Sequence, residues 1–269
     1  MAKPFPYQKK LILKRRKHAL FISLYSLLGL GIIFSSLSWF SHADFLSIQN
    51  FSILGISNRE TLAASSVAMN EVSGNYISFF SKRNIFLYPK DVIEQKILEL
   101  PFVQSVEINR KNLTEVEITI EGREESARWC ESTITELPRC FSVDENGYIF
   151  GTVATSTAFV YRGLISGEAL GQQILSASKF KEIQFFVREL GRLGVSPVKA
   201  EFGESGYMTI FLLAGGKLII NTNDDLSQVL SNISSILADR TVAPSIPSFL
   251  EKLDYIKLDS GNKVVYKLK

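Results

Sequence analysis

The chain has 269 residues, of which 46% are hydrophobic, and its 30 basic and 27 acidic side chains leave a formal net charge of only +3. The charge is uneven: seven basic residues lie in the first seventeen positions and no acidic residue precedes Asp44, so these positions carry +7 and the remainder −4. A nucleic-acid-binding protein is expected to carry basic residues over its folded body, so we predict no nucleic-acid partner.

An uncharged apolar stretch follows the basic cluster, from Ala19 to Phe40. At 1.5 Å per residue, a helix of this length crosses the roughly 30 Å hydrocarbon layer of a membrane. We therefore predict a cytoplasmic basic tail over residues 1–18, a transmembrane helix over residues 19–41 and, by the positive-inside rule, an extracytoplasmic remainder. The alternative is a cleaved secretory signal, because Ser41-His42-Ala43 loosely resembles a cleavage site, although the apolar stretch is longer than a usual signal core.

The pattern after this stretch predicts a small α+β domain over residues 44–124. Apolar and β-branched residues indicate a strand at 45–56, and Asn58 is placed to cap a helix that runs to about residue 70. An aromatic segment, 75–88, is ambiguous, and a second helix lies between Pro89 and Pro101. Two alternating strands at 102–109 and 113–120 then complete the order β-α-α-β-β, with the helices on one face of the sheet.

Residues 125–269 predict a mixed α/β domain dominated by antiparallel sheet. A hairpin is indicated at 141–150 by the turn residues between Asp144 and Gly147. Apolar periodicity predicts two helices and alternation predicts five further strands: helices at 176–193 and 226–238, strands at 198–202, 207–213, 217–221, 255–258 and 262–269.

A search for chemical motifs predicts no catalytic residue, no cofactor and no metal site. The only histidines are His18 and His42, both beside the apolar stretch, so a nucleophilic triad in the folded part is not indicated. The Ser-x-x-Lys strings at 176–179 and 196–199 have no companion Lys-Thr-Gly motif. Acidic pairs such as Glu124-Glu125 are typical of a solvated surface, and an anchored glycan-cleaving enzyme stays as a less favoured alternative.

The two cysteines, Cys130 and Cys140, lie ten positions apart around a connection that contains a proline. In an oxidising extracytoplasmic space they are placed to form a disulfide across a hairpin. The alternative is a pair of separately buried thiols.

Two sequence segments after the apolar stretch resemble the POTRA module of bacterial cell-division proteins of the FtsQ/DivIB family. They are LPFVQSVEINR and LTEVEITIEGREESARW, and the hairpin differs from the family in having Asn112 where a proline is common. The residues that carry the resemblance are Leu100, Pro101, Phe102, Val103, Glu121, Arg123, Ala127 and Trp129.

The second half of the chain continues the resemblance. The hairpin at 141–150 is similar to a family signature, and Arg162-Gly163-Leu164 with Gly171 is similar to the family's glycine-rich loop before a helix. The strand pair at the end resembles the family's closing hairpin, with Lys257 and Asp259 departing from its usual residues.

The resemblance implies a non-enzymatic, single-pass scaffold of the septation complex in the cell membrane. Its implied partners are small division proteins of the FtsB and FtsL type and septal peptidoglycan synthases. The last strand is expected to lie at a sheet edge and to receive a partner strand, with Tyr255, Val264 and Tyr266 as contacts. Two alternatives stay open: these residues close the core instead, and the chain is a POTRA-bearing component of a secretion or outer-membrane assembly system.

Overall fold

The computed structural model describes residues 6–132, 139–152, 157–203, 206–259 and 263–269. The chain divides into two compact units, Met1–Glu121 and Gly122–Lys269. Both mix helices with strands, which confirms the α+β class at this coarse level.

The first unit begins with a long helix, α1, at Pro6–Ser41. Proline suits the first turn of a helix, and the Lys and Arg residues that follow are good helix formers, so α1 includes the basic cluster as well as the apolar stretch. Its segment Lys17–Ser41 has a mean hydropathy of 2.0 over its most apolar window, and none of that window is buried against the rest of the protein. The helix is therefore long and apolar enough to cross a membrane.

The folded part of the first unit is a three-stranded sheet covered by two helices, with a separate two-stranded hairpin. The sheet order is β1-β5-β4, with β1 parallel to β5, and the hairpin pairs β2 with β3. The elements are β1 (Asn50–Leu54), α2 (Asn58–Glu71), β2 (Asn75–Tyr76), β3 (Phe80–Ser81), α3 (Lys90–Leu98), β4 (Val103–Arg110) and β5 (Glu115–Gly122).

Three details of the first unit differ from the sequence-based expectation. The strand expected at 45–56 is shorter, because Asp44–Leu46 forms a single 3-10 turn before β1. The cap of α2 is Ser57, which forms a capping box with Glu60, and not Asn58. The ambiguous aromatic segment contains the hairpin β2–β3.

The second unit is built on one nine-stranded sheet in the order β14-β13-β12-β11-β10-β9-β6-β7-β8. Pairings β12–β13, β9–β10 and β6–β9 are parallel, and the other five are antiparallel. The strands are β6 (Ala127–Glu131), β7 (Cys140–Val143), β8 (Ile149–Thr152), β9 (Val160–Gly163), β10 (Pro197–Phe202), β11 (Tyr207–Leu212), β12 (Lys217–Asn221), β13 (Leu253–Asp259) and β14 (Lys263–Leu268).

Three helices cover one face of this sheet: α4 (Ala177–Arg192), α5 (Leu226–Ala238) and α6 (Ile246–Lys252). Alternate strand residues and apolar residues of these helices share a single buried cluster, in which Phe180, Ile183 and Ile233 are almost fully buried. The opposite face of the sheet carries no described helix. The sequence pattern did not predict β6, β9 or α6, and Arg162 and Gly163 belong to β9 instead of a loop.

Candidate partner-binding edge

Strand β14 lies at one edge of the nine-stranded sheet, where its pairing partner among the described residues is β13 alone. An edge strand offers backbone N–H and C=O groups that a strand from another chain can pair with. The structure thus places β14 where strand addition is geometrically open.

The pairing register assigns the three predicted contact residues to two faces of the sheet. Val264 is opposite Leu258, and Tyr266 is opposite Ile256, so both lie on the face that the helices cover. The ring of Tyr266 contacts that of Phe249 in α6, with centroids 6.0 Å apart. Tyr255 lies on the helix-free face, since it alternates with the buried Ile256 along β13.

The helix-free face of β14 also presents a residue that the sequence reasoning missed. Val265 is 55% exposed and is opposite Lys257 in the register. The alternating pattern of the strand could have identified Val265, because it lies between Val264 and Tyr266 and therefore faces the opposite side of the sheet. Val264, in contrast, is half-buried and packs against the core cluster. The predicted contact residues therefore do not form one surface. Val264 helps to close the core, while Tyr255 lies on the helix-free face together with Val265.

Polar contacts hold the end of β14 against the end of α6 and the start of β13. Lys267 forms an ion pair with Asp254, with Nζ and Oδ2 3.2 Å apart. The backbone N–H of Lys269 donates to the carbonyl of Lys252 over 2.8 Å, and its Nζ donates to the carbonyl of Glu251 over 3.0 Å. These contacts hold the edge strand in a defined register, so an incoming strand would meet a fixed template.

The opposite half of the sheet contains a buried ion pair beneath the β7–β8 turn. The Asp144 carboxylate accepts hydrogen bonds from the backbone N–H groups of Asn146 and Tyr148. It also forms an ion pair with Arg123, with Oδ2 and Nη1 2.5 Å apart. The Arg123 guanidinium also lies over the Tyr148 ring, 4.2 Å from its centroid. This arrangement orders the turn.

Cys130 and Cys140 are opposite each other in the antiparallel pair β6–β7 and are joined by a disulfide. The spacing of the two cysteines therefore fits a hairpin, as the sequence indicated. The bond ties the chain on either side of residues 133–138, which lie outside the described part of the structure.

The described residues offer no assembled centre for metal chemistry: no group of three or more His, Cys, Asp or Glu side chains among them is positioned to hold a metal ion. In the first Ser-x-x-Lys string, Lys179 pairs with Glu182 at 2.8 Å, and in the second, Lys199 pairs with Glu201 at 2.8 Å. The expectation that the chain has no catalytic site stays a prediction.

Comparison with known proteins adds no family to these observations: no protein-family model and no curated protein matches the chain.

Proposed function

We propose that this chain is a single-pass membrane scaffold of the bacterial cell-division complex, of the FtsQ/DivIB type. It would place its basic tail in the cytoplasm and both folded units outside, at the division septum. It would act without catalysis, by binding small division proteins of the FtsB and FtsL type and, through them, septal peptidoglycan synthases.

The observation that carries this proposal is the edge position of β14 in the sheet. A scaffold needs a surface that is complementary to another chain, and an edge strand in fixed register supplies directional hydrogen bonds for one. The residues that resemble the family's closing hairpin form this edge, with Tyr255 and Val265 beside it on the helix-free face.

The first unit adds further support. After α1, the order β1-α2-α3-β4-β5 is the β-α-α-β-β order of a POTRA module, with the hairpin β2–β3 between the two helices. This folded part comes directly after α1, in the place that a POTRA module has in the family.

Charge and cysteine chemistry support the proposed orientation. The seven basic residues precede the apolar segment and no acidic residue lies among them, the distribution that keeps a flank in the cytoplasm. A disulfide persists in an oxidising space, so Cys130–Cys140 fits a second unit outside the cytoplasm.

The test is site-specific cross-linking in membranes of the source cell. A photoreactive residue replaces Val265 at the edge or, as the control, Leu213, which is 75% exposed on the turn after β11 in the same unit. We expect small division proteins to be captured from position 265 and not from position 213. Capture of secretion-machinery proteins from position 265 would refute the division role.

Two variants test whether the edge itself binds. We expect Val265→Asp to lower partner capture strongly, because a carboxylate would have to be desolvated against the incoming strand. Leu213→Asp should leave capture unchanged. Deletion of residues 263–269 should abolish capture while membrane insertion persists, and undiminished capture after this deletion would overturn strand addition at β14.

A further inference from the structure

The hairpin β2–β3 packs against the apolar segment of α1. The ring of Phe34 makes edge-on contacts with the rings of Phe79 and Phe80, with centroids 5.3 and 5.4 Å apart. Phe34 is fifteen residues after Ala19, where the uncharged stretch begins. These aromatic contacts place the hairpin beside a part of the helix that is expected to be in lipid.

The rise of a helix gives the depth of this contact. Fifteen residues at 1.5 Å place Phe34 about 22 Å from the start of the apolar stretch, within a hydrocarbon layer of roughly 30 Å. A tilted helix would bring Phe34 deeper. If α1 spans a membrane, Phe79 and Phe80 therefore lie within the hydrocarbon layer, in the leaflet on the side of the folded units.

The polar backbone groups of the hairpin are suited to that depth. Ser38 of α1 donates from Oγ to the carbonyl of Phe79 over 2.6 Å, and Ser41 Oγ accepts from the N–H of Ser81 over 3.3 Å. Within the hairpin, the N–H of Phe79 donates to the carbonyl of Tyr76 over 3.0 Å. Because lipid offers no hydrogen bonds, backbone groups in it must be paired within the protein, and the two serines of α1 do this.

The tip of the hairpin carries a large apolar side chain in an unfavourable backbone conformation. Ile77 is 87% exposed and has φ of 47°, and the next residue, Ser78, has φ of 65°. A β-branched residue with positive φ is strained, and the conformation points an isoleucine away from the protein instead of into its core. In water the exposed side chain contributes no favourable free energy of burial, whereas in lipid its burial offsets the strain.

A cleft of about 490 Å³ lies between α1 and the hairpin, near the end of the apolar stretch. Its walls are almost entirely apolar, with Leu37 and Phe40 from α1, Phe80 from the hairpin, and Phe86 and Leu87 after it. One wall is the membrane helix itself, so the cleft is continuous with the surface that lipid chains would cover. Lys82 directly follows the hairpin, and its Nζ lies 5.7 Å from the centroid of the Tyr76 ring.

We propose that the hairpin β2–β3 is inserted into the leaflet on the side of the folded units, with an acyl chain of a phospholipid in the cleft behind it. The first unit would then be held against the membrane surface by a second attachment besides α1. This proposal depends on the membrane crossing of α1 and not on the role at the septum.

The native cysteines are bonded to each other, so a single added cysteine can be labelled selectively with a small environment-sensitive fluorophore. The test uses the full chain in vesicles of equal parts phosphatidylethanolamine and phosphatidylglycerol, with nitroxide-bearing lipids as quenchers. Ile77→Cys reports the tip of the hairpin. Leu27→Cys, in the middle of the apolar segment, reports the crossing of α1.

The matched control for the tip is Leu62→Cys. Leu62 is also an exposed aliphatic residue of the first unit, at 73% exposure, but it lies in the first half of α2, whose far end leads towards the hairpin. Leu62 lies nine residues before Glu71, the last residue of the helix, which is a distance of about 14 Å. A label at residue 62 should therefore stay in water.

We expect quenching at residues 77 and 27 and none at residue 62, with the label at residue 77 responding most to a nitroxide near the headgroup and the label at residue 27 to one near the chain end. Quenching at 27 without quenching at 77 would overturn the inserted hairpin and leave the membrane crossing standing. Absence of quenching at both positions would overturn the crossing and the hairpin proposal together. Equal quenching at 62 and 77 would show non-specific adhesion of the labels and would also overturn it.

Discussion

The backbone of Gly163 in β9 lies against the indole ring of Trp129 in β6: a Cβ atom at residue 163 would be 2.3 Å from Cζ2 of the ring. The ring cannot move aside easily, because it is also packed on Phe202 and Tyr161, with centroids 5.1 and 6.4 Å away. Residue 163 does not need the backbone freedom of glycine here; it needs the absence of a side chain. A glycine at residue 163 is therefore a steric requirement of the tryptophan at residue 129.

The substitution Gly163→Ala is therefore expected to destabilise the second unit by about 2 kcal/mol, since an added methyl in a close-packed core displaces its neighbours. The measurement is urea unfolding of the full chain in detergent micelles. Gly191→Ala is the matched control, because a Cβ there meets no atom within 4 Å. The control should keep the wild-type midpoint or exceed it slightly, and equal midpoints for both variants would contradict the steric argument.

The Arg123–Asp144 pair predicts a large effect from a charge substitution. The Asp144 side chain is only 6% exposed, so removing its cation leaves a buried carboxylate without its charge partner. Arg123→Gln is expected to lower the free energy of unfolding by about 3 kcal/mol. The control is Lys181→Gln, which breaks the pair between Lys181 and Glu145 in the same unit, 3.1 Å long, whose side chains are 50% and 67% exposed.

Exposed pairs contribute little because water screens them, so the control should change the free energy of unfolding by less than about 0.5 kcal/mol. Thermal unfolding of both variants, measured side by side, decides the matter. Similar losses in the two proteins would show that burial does not determine the strength of these pairs.

Regular apolar periodicity was sufficient to predict several elements, and α5 is the clearest case. Its bounds agree with the expected 226–238, because Asp225 caps the helix and apolar residues recur along one face. The short helix α6 was missed, although Ser245 and the proline after Ile246 are start signals, since its seven residues are too few for a periodic pattern. Four-residue β9 was missed for the same reason.

The two proposed binding surfaces were less predictable, because much of their geometry depends on contacts distant in sequence. The edge position of β14 was expected from its place at the end of the chain, but the faces on which Val264, Val265 and Tyr266 lie follow only from its register with β13. The hairpin β2–β3 depends on Ser38 and Ser41 in α1, some forty residues earlier, and its turn places Ile77 where sequence rules expect glycine or asparagine. Local patterns thus predicted most elements and the edge strand, whereas the contact between the hairpin and α1 depends on residues distant in sequence.

The disulfide gives a prediction for redox conditions. Cys130 and Cys140 close a loop with a sequence separation of 10. A loop of this size is expected to contribute about 2–3 kcal/mol by restricting the unfolded chain. Reductant should therefore lower the melting temperature of the wild-type chain and have no effect on the variant with both Cys130→Ser and Cys140→Ser. An unchanged wild-type melting temperature, with thiol labelling proving reduction, would contradict this contribution.

Tyr161 predicts how stability depends on alkaline pH. Burial raises the pKa of its phenol well above the ordinary value of 10.0, because the ring lies in the aromatic core of the second unit. The unfolded chain loses this proton near pH 10 while the folded chain keeps it, so the folded state binds more protons at higher pH. The contribution of Tyr161 to the free energy of unfolding is fully present below about pH 10 and is lost progressively as the pH rises towards the folded-state pKa.

Tyr161→Phe keeps the ring and removes the ionisation, so its free energy of unfolding should fall less steeply than that of the wild type between about pH 9.5 and 11. Urea unfolding of both chains across this range measures the two slopes, and parallel slopes would show that the phenol does not titrate differently in the folded and unfolded states.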